Sequence, residues 1–325
     1  MLFEFAISPS VFRTSSYESA AVADLCLRQM GHSLREDGIV RNLCSGEWLD
    51  QIRSDQAGLH CKSIELLKKL ERGNRLARHP RMGIQIPKDD QDWESEALLS
   101  HESRHLTGCI FSQDAWEKRH KRNLLVSCPE RLTSASFWTS HARSRRIYRS
   151  IDAYIDILAS LFRHANSIMF IDPHIDPWRG GYSDFWKLLT NPELTNREIK
   201  PHIEIHRVAW VGDGKDKRPK VEEIKTTFFE ESPIHRQKSL DLRLKEAGVT
   251  VEVFLWDDLH DRFFMTELLG MSWSNGFDTD KDPSSSVTVA RLDRPDRDSV
   301  QEEFSANSTL HHLQGRFTIG YRTTI

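Results

Sequence analysis

The stretch from 249 to 278 constrains the fold of this chain more than any other. It opens with apolar residues at every second position, namely Val249, Val251, Val253 and Leu255. Such alternation is typical of a β-strand. After a turn at 256–258, residues 259–266 predict a second strand. Side chains at i and i+2 of a strand point the same way, so we expect His260 and Arg262 to lie side by side.

The pair His260 and Arg262 has the chemistry of a phosphate site. An imidazole can act as a nucleophile, and a fixed guanidinium binds phosphate through two parallel hydrogen bonds. Glu267 follows in the same run, and Ser274-Asn275-Gly276 closes the segment with a small-residue turn. We therefore expect His260, Arg262 and Asn275 to converge on one cleft at an edge of the sheet. The alternative is an ordinary strand histidine beside a surface arginine.

This pattern resembles the motif of the phospholipase D superfamily, which reads His-x-Lys-x4-Asp followed by Gly-Ser-x-Asn. Here it stands as His260-x-Arg262-x4-Glu267 and then Ser274-Asn275, so Arg replaces Lys and Glu replaces Asp. The resemblance covers roughly the C-terminal half of the chain. It implies that His260 attacks phosphorus, that Arg262 holds the non-bridging oxygens, and that Glu267 orients the imidazole. Ser274 and Asn275 complete the predicted catalytic set.

The resemblance also implies what such an activity needs. Enzymes of this family use two histidines, one as nucleophile and one as leaving-group acid, and neither a metal nor a cofactor. The chain has one motif and no internal repeat, so we expect the second histidine to come from the twin subunit of a homodimer. The expected activity is metal-independent phosphodiester hydrolysis, with a nuclease acting on nucleic acid as the leading form.

A variant branch of the same family provides a competing hypothesis. His260-Asp261-Arg262, an apolar run and Gly276-Phe277-Asp278 are similar to the C-terminal domain of microtubule-interacting-and-trafficking proteins. That domain binds partners and does not cleave phosphodiesters. Arg in place of Lys favours this alternative, because the exchange weakens the case for catalysis more than the case for phosphate binding. The competing hypothesis is a catalytically inactive module that binds a protein partner.

Length and composition bound the class of protein. The chain has 325 residues, 38% of them hydrophobic and 29% charged, with a net charge of -3, which indicates a globular protein that is not a polycation. Its five cysteines form no Cys-x-x-Cys pair, which favours reduced thiols in the cytoplasm. No run reaches the ~20 apolar residues of a membrane span, and the N-terminus lacks the basic leader of a signal peptide.

The chain divides into two predicted domains. Residues 1–135 contain helices expected at 15–31 and 63–72, and we predict a mostly helical or mixed domain of unknown type. The second predicted domain comprises residues 136–325, and from about residue 147 its pattern predicts the order α-β-α-β-α-β-β-β-α. That order is typical of an α/β sandwich, and it suits one phospholipase D-like sheet with helices on both faces.

A proline-bounded loop, Asp172-Pro173-His174-Ile175-Asp176, follows a compact strand predicted at 167–171. Loops at the carboxyl ends of strands commonly line sites in open α/β sheets. We predict that Asp172 and His174 contact the substrate, with His174 a candidate for the leaving-group acid. The alternative is a structural loop whose carboxylates cap nearby backbone groups.

The most basic part of the chain precedes this loop. It contains a run at 119–122 and four further arginines at Arg143, Arg145, Arg146 and Arg149. We predict that Arg143 and Arg146 bind the phosphate backbone of a nucleic acid. Aromatic residues are interleaved with the run at Phe137, Trp138 and Tyr148. The alternative is a solvated face that binds nothing.

His101-Glu102-Ser103-Arg104-His105 matches the zincin pattern His-Glu-x-x-His. On a helix, histidines at i and i+4 share a face and could bind zinc, with Glu102 as general base. Zincin helices bury the two intervening positions, and Ser103-Arg104 suits burial poorly, so we predict no zinc there. His202, His206 and the pair at 311–312 have no partners at ligand spacing, and we predict that they are ordinary residues.

Overall fold

The computed structural model describes the chain at residues 2–139, 142–212, 218–234 and 236–321. These fall into two compact units, Leu2–Ala142 and Arg143–Ile325. The sequence placed the boundary between 135 and 136, and the difference has a physical cause. Trp138 is buried in the core of the first unit, with its ring centroid 5.1 Å from that of Phe5. The segment that follows residue 135 therefore belongs to the first unit.

The first unit is a parallel α/β domain. Its strands are β1 (Phe3–Ile7), β2 (Gly38–Asn42), β3 (Leu76–Arg78), β4 (Gly108–Ile110) and β5 (Val126–Ser127). Its helices are α1 (Ala20–Asp37), α2 (Glu47–Ser54), α3 (Cys61–Arg72), α4 (Asp90–Ser103), α5 (Gln113–Ala115) and α6 (Ser136–Thr139). Among the described residues all neighbouring strands run parallel, in the order β3-β2-β1-β4-β5. Helical crossovers make this possible, because a tight hairpin cannot join parallel neighbours.

The sheet of the first unit is enclosed, as parallel sheets usually are. Every residue of β2 is buried, including Arg41. The Arg41 guanidinium donates to Glu4 Oε1 at 3.0 Å and to the carbonyls of Ser100 and Arg104. A buried cation is tolerated only when it is paired and hydrogen-bonded, and these contacts meet that condition. The unit is thus of the mixed kind that the sequence left open.

The second unit contains the longer sheet. Its strands are β6 (Ser144–Tyr148), β7 (Ser167–Ile171), β8 (His202–Val208), β9 (Val251–Trp256), β10 (Phe263–Thr266), β11 (Gly270–Trp273), β12 (Ser286–Arg291) and β13 (Leu313–Ile319). Its helices are α7 (Ile151–His164), α8 (Trp186–Leu189), α9 (Pro192–Thr195), α10 (Val221–Phe229), α11 (Leu240–Ala247) and α12 (Arg294–Glu303). Within the described ranges the strand order is β13-β9-β8-β7-β10-β11-β12-β6.

The connections explain which strands of this sheet are parallel. Helical segments join β7 to β8 and β8 to β9, and these three strands run parallel. Connections without a helix join β9, β10, β11 and β12, and β10, β11 and β12 pair antiparallel to their neighbours. The second unit is therefore a mixed α/β sheet, in agreement with the α/β class expected from the sequence.

Helices cover both faces of this sheet. On one face the ring of Phe264 contacts those of Phe162 in α7 and Phe170 in β7. Because successive strand residues alternate between faces, Met265 lies on the other face. There it packs in a buried cluster with Val300 of α12. Burial of such side chains stabilises the unit by about 1.5–3 kcal/mol each.

The strand predicted at 259–266 is shorter than expected. Residues 257–262 form no strand, and β10 begins only at Phe263. Asp257 Oδ1 instead accepts the backbone N–H of Asp258 and that of His312, at 2.8 and 3.0 Å. These local hydrogen bonds compete with a sheet ladder, and they leave His260 and Arg262 in an irregular segment.

No helix within the described ranges is both long enough and apolar enough to cross a membrane. Helix α1 has 18 residues, but charged side chains interrupt it from Asp24 to Asp37. Its buried residues instead line one side, where Leu27, Met30 and Leu34 enter the core of the first unit.

Candidate functional site

Loops of the second unit converge where the three parallel strands end. Phe263 of β10 pairs with Ile171 of β7, so Arg262 and Asp172 reach the same edge of the sheet. The backbone N–H of Trp273, the last residue of β11, donates to the Arg262 carbonyl at 2.8 Å. The loops at 172–178, 257–262 and 274–278 therefore meet at this edge, which we call the carboxyl edge.

Asp172 holds these loops together from inside. Its side chain is fully buried, and Oδ2 accepts hydrogen bonds from the Tyr182 hydroxyl at 2.8 Å and the Phe277 N–H at 2.9 Å. Oδ1 accepts the backbone N–H of His174 at 3.0 Å. The sequence predicted Asp172 as a substrate contact. That prediction is wrong in its geometry, because a carboxylate enclosed in this way positions the loop and does not face a ligand.

Gly276 makes this close approach possible. A Cβ at this position would lie 2.4 Å from the Tyr182 hydroxyl oxygen and 2.6 Å from Asp172 Oδ2. Both distances are far inside van der Waals contact, so a larger residue would have to displace the hydrogen-bonded pair. The loop after β11 thus depends on glycine for its position.

A second carboxylate anchors the far side of the same loop. Asp278 forms an ion pair with Arg149, which also lies 3.6 Å from Asp280. The Tyr154 hydroxyl of α7 donates to the Asp278 carbonyl at 3.0 Å. Arg149 was predicted as part of the basic run, and here it neutralises acidic residues of its own domain. It does not belong to an open phosphate-binding surface.

Arg207, at the end of β8, ties two loops to each other. It is buried, and its guanidinium donates to the carbonyls of Val208, Ile175 and Trp210 at 3.1, 2.6 and 3.4 Å. Burial lowers the pKa of Arg207 to about 10, against the opposing charges of Asp176 and Asp172. At neutral pH the side chain therefore stays charged, and it adds positive potential beneath the carboxyl edge.

His174 and Arg262 are partly buried and border the hydrogen-bonded network at this edge. His174 is partly buried, with its ring centroid 5.7 Å from that of Trp210. Burial lowers the pKa of His174, Asp172 raises it, and the charge of Arg262 lowers it again. Nη1 of Arg262 donates to the His260 carbonyl at 3.2 Å. Its Nε is buried and has no hydrogen-bond partner in the part of the chain that the structure describes.

His260 lies in the irregular segment at this edge and not on a strand face. Its side chain is 76% exposed, and Nε2 is 3.4 Å from Asp258 Oδ1. The segment at 257–262 is irregular, so the alternation that would place His260 and Arg262 side by side does not apply. The acidic neighbour of the imidazole is Asp258, and the role of nucleophile for His260 stays a prediction.

Glu267 is far from the role that the resemblance implied. It follows β10, whereas His260 precedes it, so the two lie at opposite ends of the strand. Glu267 Oε1 accepts the Asn166 N–H at 2.7 Å, and Oε2 accepts the N–H and hydroxyl of Ser167 at 3.1 Å. The prediction that Glu267 orients the His260 imidazole is therefore wrong. Glu267 secures the start of β7.

Ser274 and Asn275 reach the carboxyl edge with exposed side chains. Ser274 Oγ accepts the Thr288 N–H at 3.0 Å, and the Ser274 N–H donates to the Thr288 carbonyl at 3.0 Å. Ser274 therefore extends the pairing between β11 and β12. Asn275 lies between this pairing and Gly276, on the same edge as Arg262.

Arg143 and Arg146, the predicted phosphate-backbone contacts, are exposed at the edge strand of the sheet. Arg146 Nε donates to the Ser286 hydroxyl of β12, and the Arg143 carbonyl accepts the Arg291 N–H at 2.8 Å. Both guanidinium groups are exposed to solvent and accessible to a phosphate. Their contact with a nucleic acid backbone stays a prediction.

Two clusters that contain histidine have side chains of the kind that bind metal ions. His101 and His105 approach each other, with 3.4 Å between Nε2 and Nδ1, but α4 ends at Ser103, so they do not form a zincin helix face. Among the described residues, one group of three has ligand atoms close enough to bind a single ion. It consists of His202, Glu204 and Glu252, whose ligand atoms all lie within 4.8 Å of one another.

The sequence missed three residues that build the edge, namely Tyr182, Arg207 and Gly276 in its packing role. Tyr182 sits in a loop with no local signal. Arg207 lies in β8, where the alternation of polar and apolar residues indicates only that one face of the strand is buried. For Gly276, the resemblance of Gly276-Phe277-Asp278 to a family motif was the one signal in the sequence that pointed to this loop.

Comparisons with known proteins assign no family to the chain. No protein-family model and no curated protein matches it. Among solved structures the chain is similar to TrmBL2, described as an archaeal chromatin protein with a novel mode of DNA binding. The alignment covers 78% of this chain and 83% of that chain, with 11% identity and a TM-score of 0.24. A TM-score this low carries no argument about fold or function.

Proposed function

We propose that the second unit is a phospholipase D-like domain that binds phosphate groups of a nucleic acid backbone at the carboxyl edge. The observation that carries the proposal is the buried Nε of Arg262, which lacks a hydrogen-bond partner within the described residues. A buried donor left unsatisfied costs about 1–3 kcal/mol, and more on a charged group. A phosphate oxygen at this position would satisfy the donor and neutralise the charge.

The surroundings of Arg262 favour an anion. Arg207 adds a buried cation beneath the loop. Burial and the neighbouring cations lower the pKa of His174, so this imidazole is neutral at pH 7 and can donate one N–H to a phosphate oxygen. The exposed Arg143 and Arg146 would contact neighbouring phosphates of a longer ligand, which adds affinity that depends on salt.

Fluorescence anisotropy of a labelled single-stranded oligonucleotide tests the proposal. Hydrogen bonds to charged groups are worth about 1.5–3 kcal/mol, so Arg262→Gln should weaken binding by about 10-fold or more. Arg294→Gln is the matched control, because Arg294 is 64% exposed on α12 and lies near Asp298. Equal affinities for the parent and Arg262→Gln would refute the proposal.

A metal-independent phosphodiesterase is the second candidate. The observation in its favour is that His174 and His260 belong to loops of one chain that meet at the carboxyl edge. His260 would attack phosphorus and form a P–N bond as the P–O bond to the leaving oxygen breaks, and that oxygen takes a proton from the protonated form of His174, which the lowered pKa makes the minor form at pH 7. Water would then hydrolyse the phosphohistidine. In this form the second histidine need not come from the twin subunit of a homodimer.

Cleavage of the same oligonucleotide in the presence of EDTA separates the two candidates. An enzyme of this kind should keep its activity without divalent metal and lose it in His260→Ala. Arg262→Lys restores the lysine of the parent motif, so it should keep or raise the activity of an enzyme. In a binding module the same change should loosen binding through loss of the bidentate geometry, and neither protein should cleave.

A further inference from the structure

A row of polar side chains crosses the middle of the second sheet, away from the carboxyl edge. His202, Glu204 and His206 alternate along β8 and therefore share one face. Glu252 of β9 is the direct partner of Glu204 in the parallel register. His202 is 56% exposed, and Glu204 and Glu252 are 19% and 26% exposed. The first half of the row is thus open to solvent, whereas His206 is buried.

The ligand atoms of three of these residues are already gathered. His202 Nε2 lies 2.9 Å from Glu204 Oε1 and 3.9 Å from Glu252 Oε2. Zinc binds imidazole nitrogen and carboxylate oxygen at about 2.0–2.2 Å in tetrahedral geometry, which puts two ligand atoms about 3.4 Å apart. The 2.9 Å distance lies below that value and the 3.9 Å distance lies above it. Shifts of a fraction of an ångström would therefore bring these atoms to the spacing of tetrahedral zinc ligands.

The buried His206 fixes the position of the Glu204 carboxylate by a hydrogen bond. Its Nδ1 accepts the indole N–H of Trp256 at 3.1 Å, so Nε2 carries the proton in the neutral ring and donates to Glu204 Oε2 at 3.1 Å. The imidazole is stacked on Phe254 with 4.8 Å between centroids and 3° between planes. His206 thus fixes Oε2 of Glu204 and leaves Oε1 on the solvent-accessible side. Hydrogen-bonding partners of this kind orient metal ligands in proteins.

Charge gives a second reason for a cation. Glu204 and Glu252 lie directly opposite each other on neighbouring strands, where like charges are destabilising. Arg316 Nη2 lies 3.7 Å from Glu252 Oε1, beyond hydrogen-bond distance, so it compensates this charge only in part. A divalent ion between the two carboxylates would remove the repulsion. Strands on both sides of β8 and β9 keep the backbone of the group rigid.

We propose that His202, Glu204 and Glu252 form a binding site for a divalent transition-metal ion of the zinc type. One imidazole with two carboxylates suits zinc better than magnesium, which prefers oxygen ligands and its own water. Three protein ligands leave a fourth position open to solvent. The site is independent of the phosphate-binding proposal, because it lies on a sheet face and uses none of the residues of the carboxyl edge.

Zinc titration of the untagged full chain by calorimetry, after treatment with EDTA and dialysis, tests the site. We expect about one Zn²⁺ bound per chain, and at least about a 10-fold loss of affinity in both His202→Ala and Glu252→Gln. His312→Ala is the matched control, since this histidine is also exposed on the second unit. The double variant His101→Ala/His105→Ala should bind zinc like the parent.

A second measurement does not depend on binding heats. Zn²⁺ should raise the thermal unfolding temperature of the parent and leave that of Glu252→Gln nearly unchanged, because only the site of the folded parent gains binding energy. Mg²⁺ at the same concentration should have no such effect. Absence of zinc binding in the parent, or binding that survives in both His202→Ala and Glu252→Gln, would overturn the proposal.

Discussion

The Tyr182 hydroxyl donates a 2.8 Å hydrogen bond to the buried Asp172 carboxylate. The same carboxylate oxygen accepts the backbone N–H of Phe277, so one atom joins the loop after β7 to the loop after β11. Burial and the charge of Asp172 raise the pKa of Tyr182, which keeps its hydroxyl protonated and able to donate. The carboxyl edge is therefore held in a fixed arrangement, which the partly buried His174 and Arg262 border.

Gly276→Ala should destabilise the second unit. The new methyl group would lie 2.4 Å from the Tyr182 hydroxyl oxygen and 2.6 Å from Asp172 Oδ2, and overpacking of this kind costs about 1–3 kcal/mol. Urea unfolding measures the loss. Gly58→Ala is the control, because its nearest contact would be an ordinary 3.5 Å. Equal stabilities of the parent and Gly276→Ala would show that the contact with Asp172 does not form.

Glu267→Ala should lower stability without changing oligonucleotide affinity. The change removes the acceptor of the Asn166 and Ser167 N–H groups, and because water can reach these groups the cost should be about 0.5–1.5 kcal/mol. Glu302→Ala, at an exposed position of α12, should be nearly neutral. Loss of phosphate binding or of cleavage in Glu267→Ala, at unchanged stability, would restore the catalytic role that the family motif implied.

The sequence predicted the second unit better than its site. The strand at Ser167–Ile171 begins and ends as predicted, because a compact apolar run between Asn166 and Pro173 has few alternatives. The helix Ile151–His164 agrees with the first helix of the predicted order, since its apolar stripe is long and regular. The extended strand predicted through His260 failed, because hydrogen bonds of Asp257 compete there with sheet pairing.

Contacts between residues that are far apart in the sequence explain why parts of the two sites could not be predicted from it. Glu204 and Glu252 become neighbours only through the register of β8 and β9, and no spacing within either strand indicates it. Asp172 meets Phe277 across more than a hundred residues. Convergence of His260, Arg262 and Asn275 on one cleft stays a prediction, and the motif spacing contains no information on the burial that separates Asp172 from any ligand.

Stability should fall as the pH drops below about 6.5, and His174 should contribute to that fall. Burial lowers the pKa of folded His174 below its ordinary 6.5, so the unfolded chain binds more protons and stability rises with pH. The contribution of His174 is complete above 6.5 and is lost as the pH falls toward its folded pKa. His174→Asn should therefore lose less stability between pH 7.5 and 5.5 than the parent or His312→Asn. A loss equal to that of the parent would contradict the burial of His174.

One cysteine should react quickly in the native protein. Cys61 is exposed and the other four are buried. Burial raises the pKa of Cys44, Cys109 and Cys128 to about 12, which suppresses the reactive thiolate. A thiol reagent should label one group per native chain, and Cys61→Ser should abolish that phase. Fast labelling of a second thiol would show that one of the buried cysteines is accessible.

The most direct test of the central claim is the salt dependence of oligonucleotide binding in the parent and in Arg262→Gln. Each neutralised phosphate of a single strand adds about 0.7 to the magnitude of the slope of log K against log salt concentration. If Arg262 holds a phosphate, Arg262→Gln should bind more weakly and show a slope smaller by about 0.7, whereas Arg294→Gln should match the parent. A parent slope and affinity retained in Arg262→Gln would contradict phosphate recognition at the carboxyl edge.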